Sequence, residues 1–239
     1  MTWPPTPGDA ALLPFATATS DDGPVRVVFA DADLIVVDKP AGVPSVPART
    51  PLDPPCVAWR LRGEYGPLEA AHRLDRDTSG LLVLARTRET RTALGRAFED
   101  RTVRKRYEAV VHGGPDRTEA VVHLPLAADP ARPPRSRVDP ILGRPATTRW
   151  RLLPSSPPPG KHWSLLELEP ITGRSHQLRV HLAWLGMPII GDRLYGPKTG
   201  TPAPRLALHA SWLAFPHPRN GTPVEVRAEP PCWADALIP

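Results

Sequence analysis

The stretch HRLDRDTSGLLVLA, His72 to Ala85, places a histidine, two arginines and two carboxylates within six residues and runs them into an unbroken apolar segment. Two readings of that cluster are open on pattern alone. In one it is a charged surface loop, with Asp75 or Asp77 capping local backbone. In the other, Asp75 sits where a polar loop meets a strand buried on both faces. A carboxylate there needs a cationic or hydrogen-bonding partner to stay ionised, and one so held is available for nucleophilic or acid–base work.

Candidate partners lie in TGRSHQLRVHLAWLG, which carries Arg174, His176, Arg179 and His181 within two helical turns. Arg179 borders the stripe Leu178–Leu182–Leu185, and an arginine beside a core face generally pairs with a carboxylate. That pair is either a plain buried salt bridge or an arginine holding an ionised Asp ready in a cleft. A third group is Tyr107, preceded in RTVRKRY by Arg101, Arg104, Lys105 and Arg106. A strand tyrosine is ordinarily core packing. A basic run ending in an inward aromatic also suits nucleic acid, where cations hold phosphates and a ring stacks on a base.

The elements around these residues read as strands and helices without a βαβ rhythm. VRVVFADADLIVVDKP predicts two short strands around an ADAD turn, stopped at Pro40. The run GLLVLA predicts a strand buried on both faces. TRETRTALGRAFED predicts a helix capped by Thr87, with Ala93, Leu94, Ala97 and Phe98 on its apolar side. RKRYEAVVHG is a strand with Tyr107, Ala109 and Val111 on one face. ATTRWRLL and HWSLLELEP pair across the tip PSSPPPGK, and SHQLRVHLAWLG is a helix stopped by Gly186. Together they predict an α+β domain with a mixed, largely antiparallel sheet flanked by helices. Residues 1–24 read as a poorly ordered proline-rich tail ahead of one domain over 25–239.

Composition narrows the classes. The 239 residues carry a net charge of +5, which suits an anionic partner. Cys56 and Cys232 stand alone, with no spacing for zinc and none for a disulfide framework. His72, Asp75 and Asp77 find no second ligand cluster, so no metal is expected. HRLD differs from the kinase H-R-D by the inserted Leu74, and no glycine-rich phosphate loop or D-F-G accompanies it. No signal peptide and no apolar run of about 20 residues is present. A soluble cytoplasmic protein without membrane contact is the expectation.

In combination these blocks resemble the RluA family of RNA pseudouridine synthases. The resemblance rests on HRLDRDTSGLLVLA, with LIVVDKPAGVPSVP upstream and RKRYEAVVHG in the middle. Downstream lie GRSHQLRVHLAWLGMPIIGDRLYG and RLALHASWLAF, and the whole covers about residues 25–229. It implies the pseudouridine synthase catalytic domain in a short form without an S4-like module. It implies an isomerase acting on specific uridines in ribosomal or transfer RNA, or both, and needing no metal or cofactor. Asp75 matches the catalytic aspartate, Arg179 the arginine paired with it, and Tyr107 the tyrosine against the target uracil. Arg73 matches the residue that fills the gap left by the flipped base. His72, Arg174, His176, Arg104 and Lys105 are expected to bind RNA. The insert ADPARPPRSRVDPILGRP offers Arg132, Arg135 and Arg137, either as RNA contacts or as a solvated hairpin. A monomer is expected, since no apolar seam runs along the chain. Two rivals are a noncatalytic RNA-binding protein and a metal-dependent phosphoesterase using His72, Asp75 and His176.

Overall fold

A computed structural model describes residues 23–47, 55–154, 162–197, 203–231 and 233. Most of the expected tail, the PSSPPPGK tip beyond Pro154, most of the PLDPPC segment and Cys232 lie outside the described residues. In chain order the elements are β1 (Arg26–Ala30), β2 (Leu34–Lys39), α1 (Val57–Tyr65), β3 (Glu69–Ala70), β4 (Ser79–Ala85), α2 (Arg88–Glu99), β5 (Arg104–His112), β6 (Glu119–His123), β7 (Leu126–Ala128), β8 (Ser136–Val138), β9 (Thr147–Leu152), β10 (Trp163–Pro170), α3 (Gln177–Trp184), β11 (Leu208–Pro216) and β12 (Pro223–Arg227). The main sheet runs β1-β2-β4-β11-β5-β10-β9-β6, with β12 paired to β11 and β3 to β4. All its pairings are antiparallel except β11 with β4. The α+β, largely antiparallel architecture expected from sequence is the one found.

The continuous apolar runs of β2 and β4 follow from covering both faces of the sheet. Leu34, Val36, Leu81 and Val83 pack against Leu94 of α2. Their neighbours Ile35, Val37, Leu82 and Leu84 pack against Val57 and Leu61 of α1 on the other side. The alternation is that of strand geometry, with successive side chains on opposite faces. Helix α2 begins as its sequence demands, the Thr87 hydroxyl accepting from the Thr90 amide.

The parallel contact of β4 with β11 is tight, and Gly80 makes it possible. Its φ is +107°, and a Cβ there would lie within 2.5 Å of the Ala210 backbone. Ser79 Oγ meets His209 Nδ1 at 2.9 Å across the same contact. The S-G pair after the charged loop therefore docks β4 on β11 and fixes where the loop leaves the sheet.

Two expectations need correction. The apolar side of α3 is not a Leu178–Leu182–Leu185 stripe: Leu185 is 41% exposed. The helix instead buries six consecutive residues, Gln177 to Leu182, because its N-terminal half packs on β8, β9 and β10. For the same reason Arg179 does not border the core but lies within it, 3% exposed.

Candidate active site

The loop that carries Asp75 is pinned on both sides. Ser45 Oγ donates to the Leu74 carbonyl at 2.9 Å and accepts from the Leu74 amide at 3.0 Å. On the other side the Arg76 carbonyl accepts from the Gly42 amide and from Lys39 Nζ, both at 2.9 Å. Lys39 is fully buried and also donates to the Pro40 and Val43 carbonyls. Burial pulls its pKa down to about 7, with the Arg205 charge adding to that and Asp77, Asp75 and Asp38 opposing it. Arg76 donates Nε to the Gly42 carbonyl at 3.0 Å. One segment, the end of β2 and the loop from Lys39 to Ser45, thus clamps Leu74 and Arg76 and leaves the side chain of Asp75, 24% exposed, reaching into a cleft.

Arg179 meets Asp75 from α3. Its Nε and Nη2 bond Asp192 bidentately at 2.8 and 2.7 Å, and Nη1 reaches Asp75 Oδ2 at 3.3 Å. Asp192 Oδ1 also accepts from the Leu194 and Tyr195 amides. Burial disfavours the Arg179 cation, but the hydrogen bonds and charge of Asp192, then of Asp75, hold its pKa above the usual arginine value. Burial likewise works against the Asp192 carboxylate, and Arg179 overcomes it and keeps that pKa low. The plain buried salt bridge and the arginine that holds a cleft carboxylate therefore coexist in one guanidinium. Asp192 takes two of its nitrogens, Nε and Nη2, and Asp75 takes the third, Nη1.

Tyr107 projects from β5 into the same cleft and is buried. Burial first, and the Asp75 charge second, push its phenol well above the ordinary tyrosine range, so it is a neutral O–H donor at working pH. His72 lies tilted against the Phe98 ring, with centroids 4.5 Å apart. Its Nε2 accepts from the Val83 amide at 3.1 Å, and burial, helped by Lys105, drives its pKa to about 3. His72 is thus a neutral brace between β4 and α2 as well as a wall of the cleft.

The cleft measures about 1300 Å³ and is lined by nine Lys or Arg against three Asp or Glu. The nine residues that the resemblance assigns to the site line it: His72, Arg73, Asp75, Arg104, Lys105, Tyr107, Arg174, His176 and Arg179. His181, the other candidate partner, instead bonds Thr148 and the Leu124 carbonyl. Gln177 shapes its rim, its Oε1 accepting from Thr172 Oγ1 at 2.7 Å and from the Arg174 amide at 3.0 Å. Sequence reasoning missed Lys39, Asp192, Tyr195 and Gln177. Asp192 and Tyr195 stand in the GDRLYG segment, and no spacing ties them to Arg179. The Asp31, Asp33 and His217 group that could hold a metal ion lies at the start of β2. Lys39 and the Asp75 loop lie at the other end, about 20 Å away by strand length. Arg219 already occupies its Asp33 carboxylate, and His217 bonds Asp31.

A carboxylate on a buried arginine and a buried phenol line the same wide cationic cleft, an arrangement suited to a polyanion with a base turned inward. Comparison with known proteins agrees. The chain matches the RNA pseudouridylate synthase family over residues 33–184. It is 40% identical over 203 residues to the dual-specificity RNA pseudouridine synthase RluA of Escherichia coli O6:H1, covering 84% of this chain and 91% of that one. Against the protein of the same name in Haemophilus influenzae the identity is 38%, covering 85% and 92%. The fold is similar to that of human RNA Pseudouridylate Synthase Domain Containing 1, with a TM-score of 0.75 at 28% identity over 90% of this chain and 87% of that chain. The chain belongs to the RNA pseudouridylate synthase family, whose reaction isomerises uridine in RNA.

Proposed function

We propose that this enzyme isomerises uridines in ribosomal and transfer RNA, with Asp75 as nucleophile, Arg179 as its partner and Tyr107 against the target uracil. The observation that carries the reading is the contact of Asp75 with the buried Arg179, beside Tyr107, at the floor of the cationic cleft. The dual-specificity name of its relatives supports two classes of RNA. Among the described residues no helix is long and apolar enough to cross a membrane; the reading places the enzyme in the cytoplasm, where its RNA substrates are. Residues 25–239 act as one catalytic domain, and the protein works as a monomer.

The steps balance without an outside reactant. Arg73, exposed on the cleft wall, takes the place of the uracil as it leaves the stack. An Asp75 oxygen bonds C1′ as the N1–C1′ bond breaks, and N1 keeps the electron pair. The uracil turns against the Tyr107 ring. C5 then bonds C1′, the carboxylate departs, N1 takes up a proton and C5 gives one up. Because Tyr107 is a neutral phenol, it handles that proton as a relay, passing its own to Asp75 as its oxygen takes the one from C5. Asp75 then gives that proton up to solvent, N1 takes one from solvent, and the carboxylate is restored. The net change is a C–N bond exchanged for a C–C bond.

Asp75→Asn tests the reading, since it keeps shape but removes the nucleophile. RNA carrying tritium at uridine C5 releases label only when that proton leaves. No release, with RNA affinity changed by no more than about threefold, is the expected result. Turnover by the variant, free of wild-type enzyme, would overturn the assignment.

A further inference from the structure

Tyr195 stands between the β7–β8 hairpin and the nucleophile. Its hydroxyl oxygen accepts from the Ser136 amide at 2.7 Å and shares a second hydrogen bond, also 2.7 Å, with Nδ1 of His176. The amide can only donate, and the phenol has one proton to give. When the hydroxyl gives it to Nδ1, the proton of a neutral imidazole resides on Nε2. That Nε2 lies 3.9 Å from Asp75 Oδ2. A lone pair there would face a carboxylate, whereas an N–H is attracted to it. The Asp75 end of the ring thus favours the tautomer in which the Tyr195 hydroxyl, already accepting from Ser136, gives its proton to Nδ1.

The ring is free for this role. His176 occupies the cap position of α3 in the left-handed region, φ 55°, yet its side chain makes no capping hydrogen bond. Instead it stands edge-on to Tyr195, with centroids 5.6 Å apart at 79°. Burial, and then the Arg179 charge, hold its pKa below the ordinary histidine value, while Asp75 and Asp192 pull the other way. A neutral ring results. Arg179 Nη1 contacts the same Asp75 oxygen, Oδ2, and Oδ1 has no hydrogen-bond or ion-pair partner among the described residues.

We propose that His176 is a positioning residue for Asp75. Held by Tyr195 as the Nε2–H tautomer, it joins Arg179 in claiming Oδ2, so that Oδ1 is the oxygen presented to the ribose. The inference rests on Asp75 being the nucleophile. The 3.9 Å separation exceeds a hydrogen bond by about 1 Å, slack of the kind that tightens once substrate is bound. Tyr195 also ties the ring to the hairpin through Ser136, and Pro134 of that hairpin lines the cleft. RNA pressed against the hairpin therefore bears on the same hydroxyl that sets the ring.

Nitrogen NMR of histidine-labelled protein reads the tautomer without any turnover, with His176 assigned by its loss in His176→Ala. The wild type should show Nδ1 as acceptor and Nε2 protonated, and Tyr195→Phe should shift His176 toward a mixture. In single-turnover tritium release at saturating RNA, Tyr195→Phe should be about 10–100-fold slower, the worth of a donor to a charged group. RNA affinity should stay within about threefold. His176→Ala combined with Tyr195→Phe should be no slower than His176→Ala alone, since the two act as one unit. His176→Gln, whose amide can still donate toward Asp75, should recover part of the rate. An Nδ1–H tautomer in the wild type, additive losses, or weaker RNA binding at an unchanged saturated rate would overturn the proposal. Asp75→Asn retaining turnover would instead remove the nucleophile reading beneath it, and the tautomer would still be read independently.

Discussion

Replacing Asp192 by Asn tests whether the buried pair is what holds the site. The carboxylate accepts four N–H groups, two from Arg179 at 2.7 and 2.8 Å and two from the Leu194 and Tyr195 amides. An amide of the same shape offers one acceptor oxygen and one donor group. With the oxygen kept on the Oδ1 side, the new NH2 faces Arg179 Nε–H, donor against donor. The guanidinium, 3% exposed, then has only Asp75 as a counter-charge. Removing one partner of a buried ion pair costs about 3–5 kcal/mol, a large part of a domain's stability of about 5–15 kcal/mol. At about 2–4 °C per kcal/mol for a chain of this size, the melting temperature should fall by about 6–20 °C. The sign with pH follows from the depressed Asp192 pKa. The wild type's advantage should be full above the unfolded aspartate value of about 3.9 and shrink as pH drops through the lower folded value. Urea unfolding between pH 3 and 8 measures this, and tritium release well below the transition measures the rate. With Arg179 unanchored, Nη1 no longer fixes Asp75, so turnover should fall as well. A shift under about 1 kcal/mol with an unchanged rate would refute the claim that Asp192 anchors Arg179.

Tyr107→Phe keeps the ring and removes the relay. Tritium release should slow by about 10²–10⁴-fold, with a covalent enzyme–RNA species or a C-linked, still protonated product accumulating; a near-wild-type rate would reduce Tyr107 to a stacking surface. Arg104→Gln with Lys105→Gln removes two cations that line the cleft. The slope of log affinity against log salt should flatten by about 1.4, and an unchanged slope would place both away from phosphates. Gly80→Ala puts a Cβ against the Ala210 backbone at a φ of +107°. It should destabilise by about 2–6 kcal/mol, read by urea midpoint, and a neutral result would mean that β4 and β11 can part without cost. Dialysis against EDTA should leave the rate on a prefolded stem-loop unchanged, because Asp31, Asp33 and His217 are already bonded to Arg219 and to one another. A loss restored by Zn²⁺ or Mg²⁺ would point to the phosphoesterase reading.

What the sequence made legible is what depends on local order. The β4 strand, the Thr87 cap of α2 and the β9–β10 pair follow from periodicity, capping and turn chemistry, and all three are present. Helix α1 was not foreseen. It has no acidic residue in its first turn and no side-chain cap, and it stands behind a proline-rich segment, so its burial of Val57 and Leu61 comes from the sheet it covers. The α3 stripe failed at Leu185 for a related reason. Helical periodicity assumes one wet face, but α3 is covered on most sides by β8, β9 and β10.

The chemistry divides along the same line. The charged loop and the arginine helix could be found because each concentrates unusual residues in a short span. Lys39 and Asp192 could not, since their meaning lies in what they meet. Lys39 finds the Arg76 carbonyl 37 residues away, and Asp192 meets Arg179 from 13 positions on, beyond the end of α3. These two account for the opening puzzle of so much charge beside a buried strand. On the proposed mechanism, the Asp75 carboxylate at its core boundary needs its backbone fixed from below and its partner's charge balanced from behind. Lys39 does the first by binding the carbonyl next to Asp75. Asp192 does the second by taking the Nε–Nη2 edge of Arg179. In this arrangement the guanidinium gives Asp75 a single N–H, from Nη1 at 3.3 Å, and not a closed fork. A fork would occupy both carboxylate oxygens and blunt their attack, whereas one N–H orients the group and leaves an oxygen for C1′.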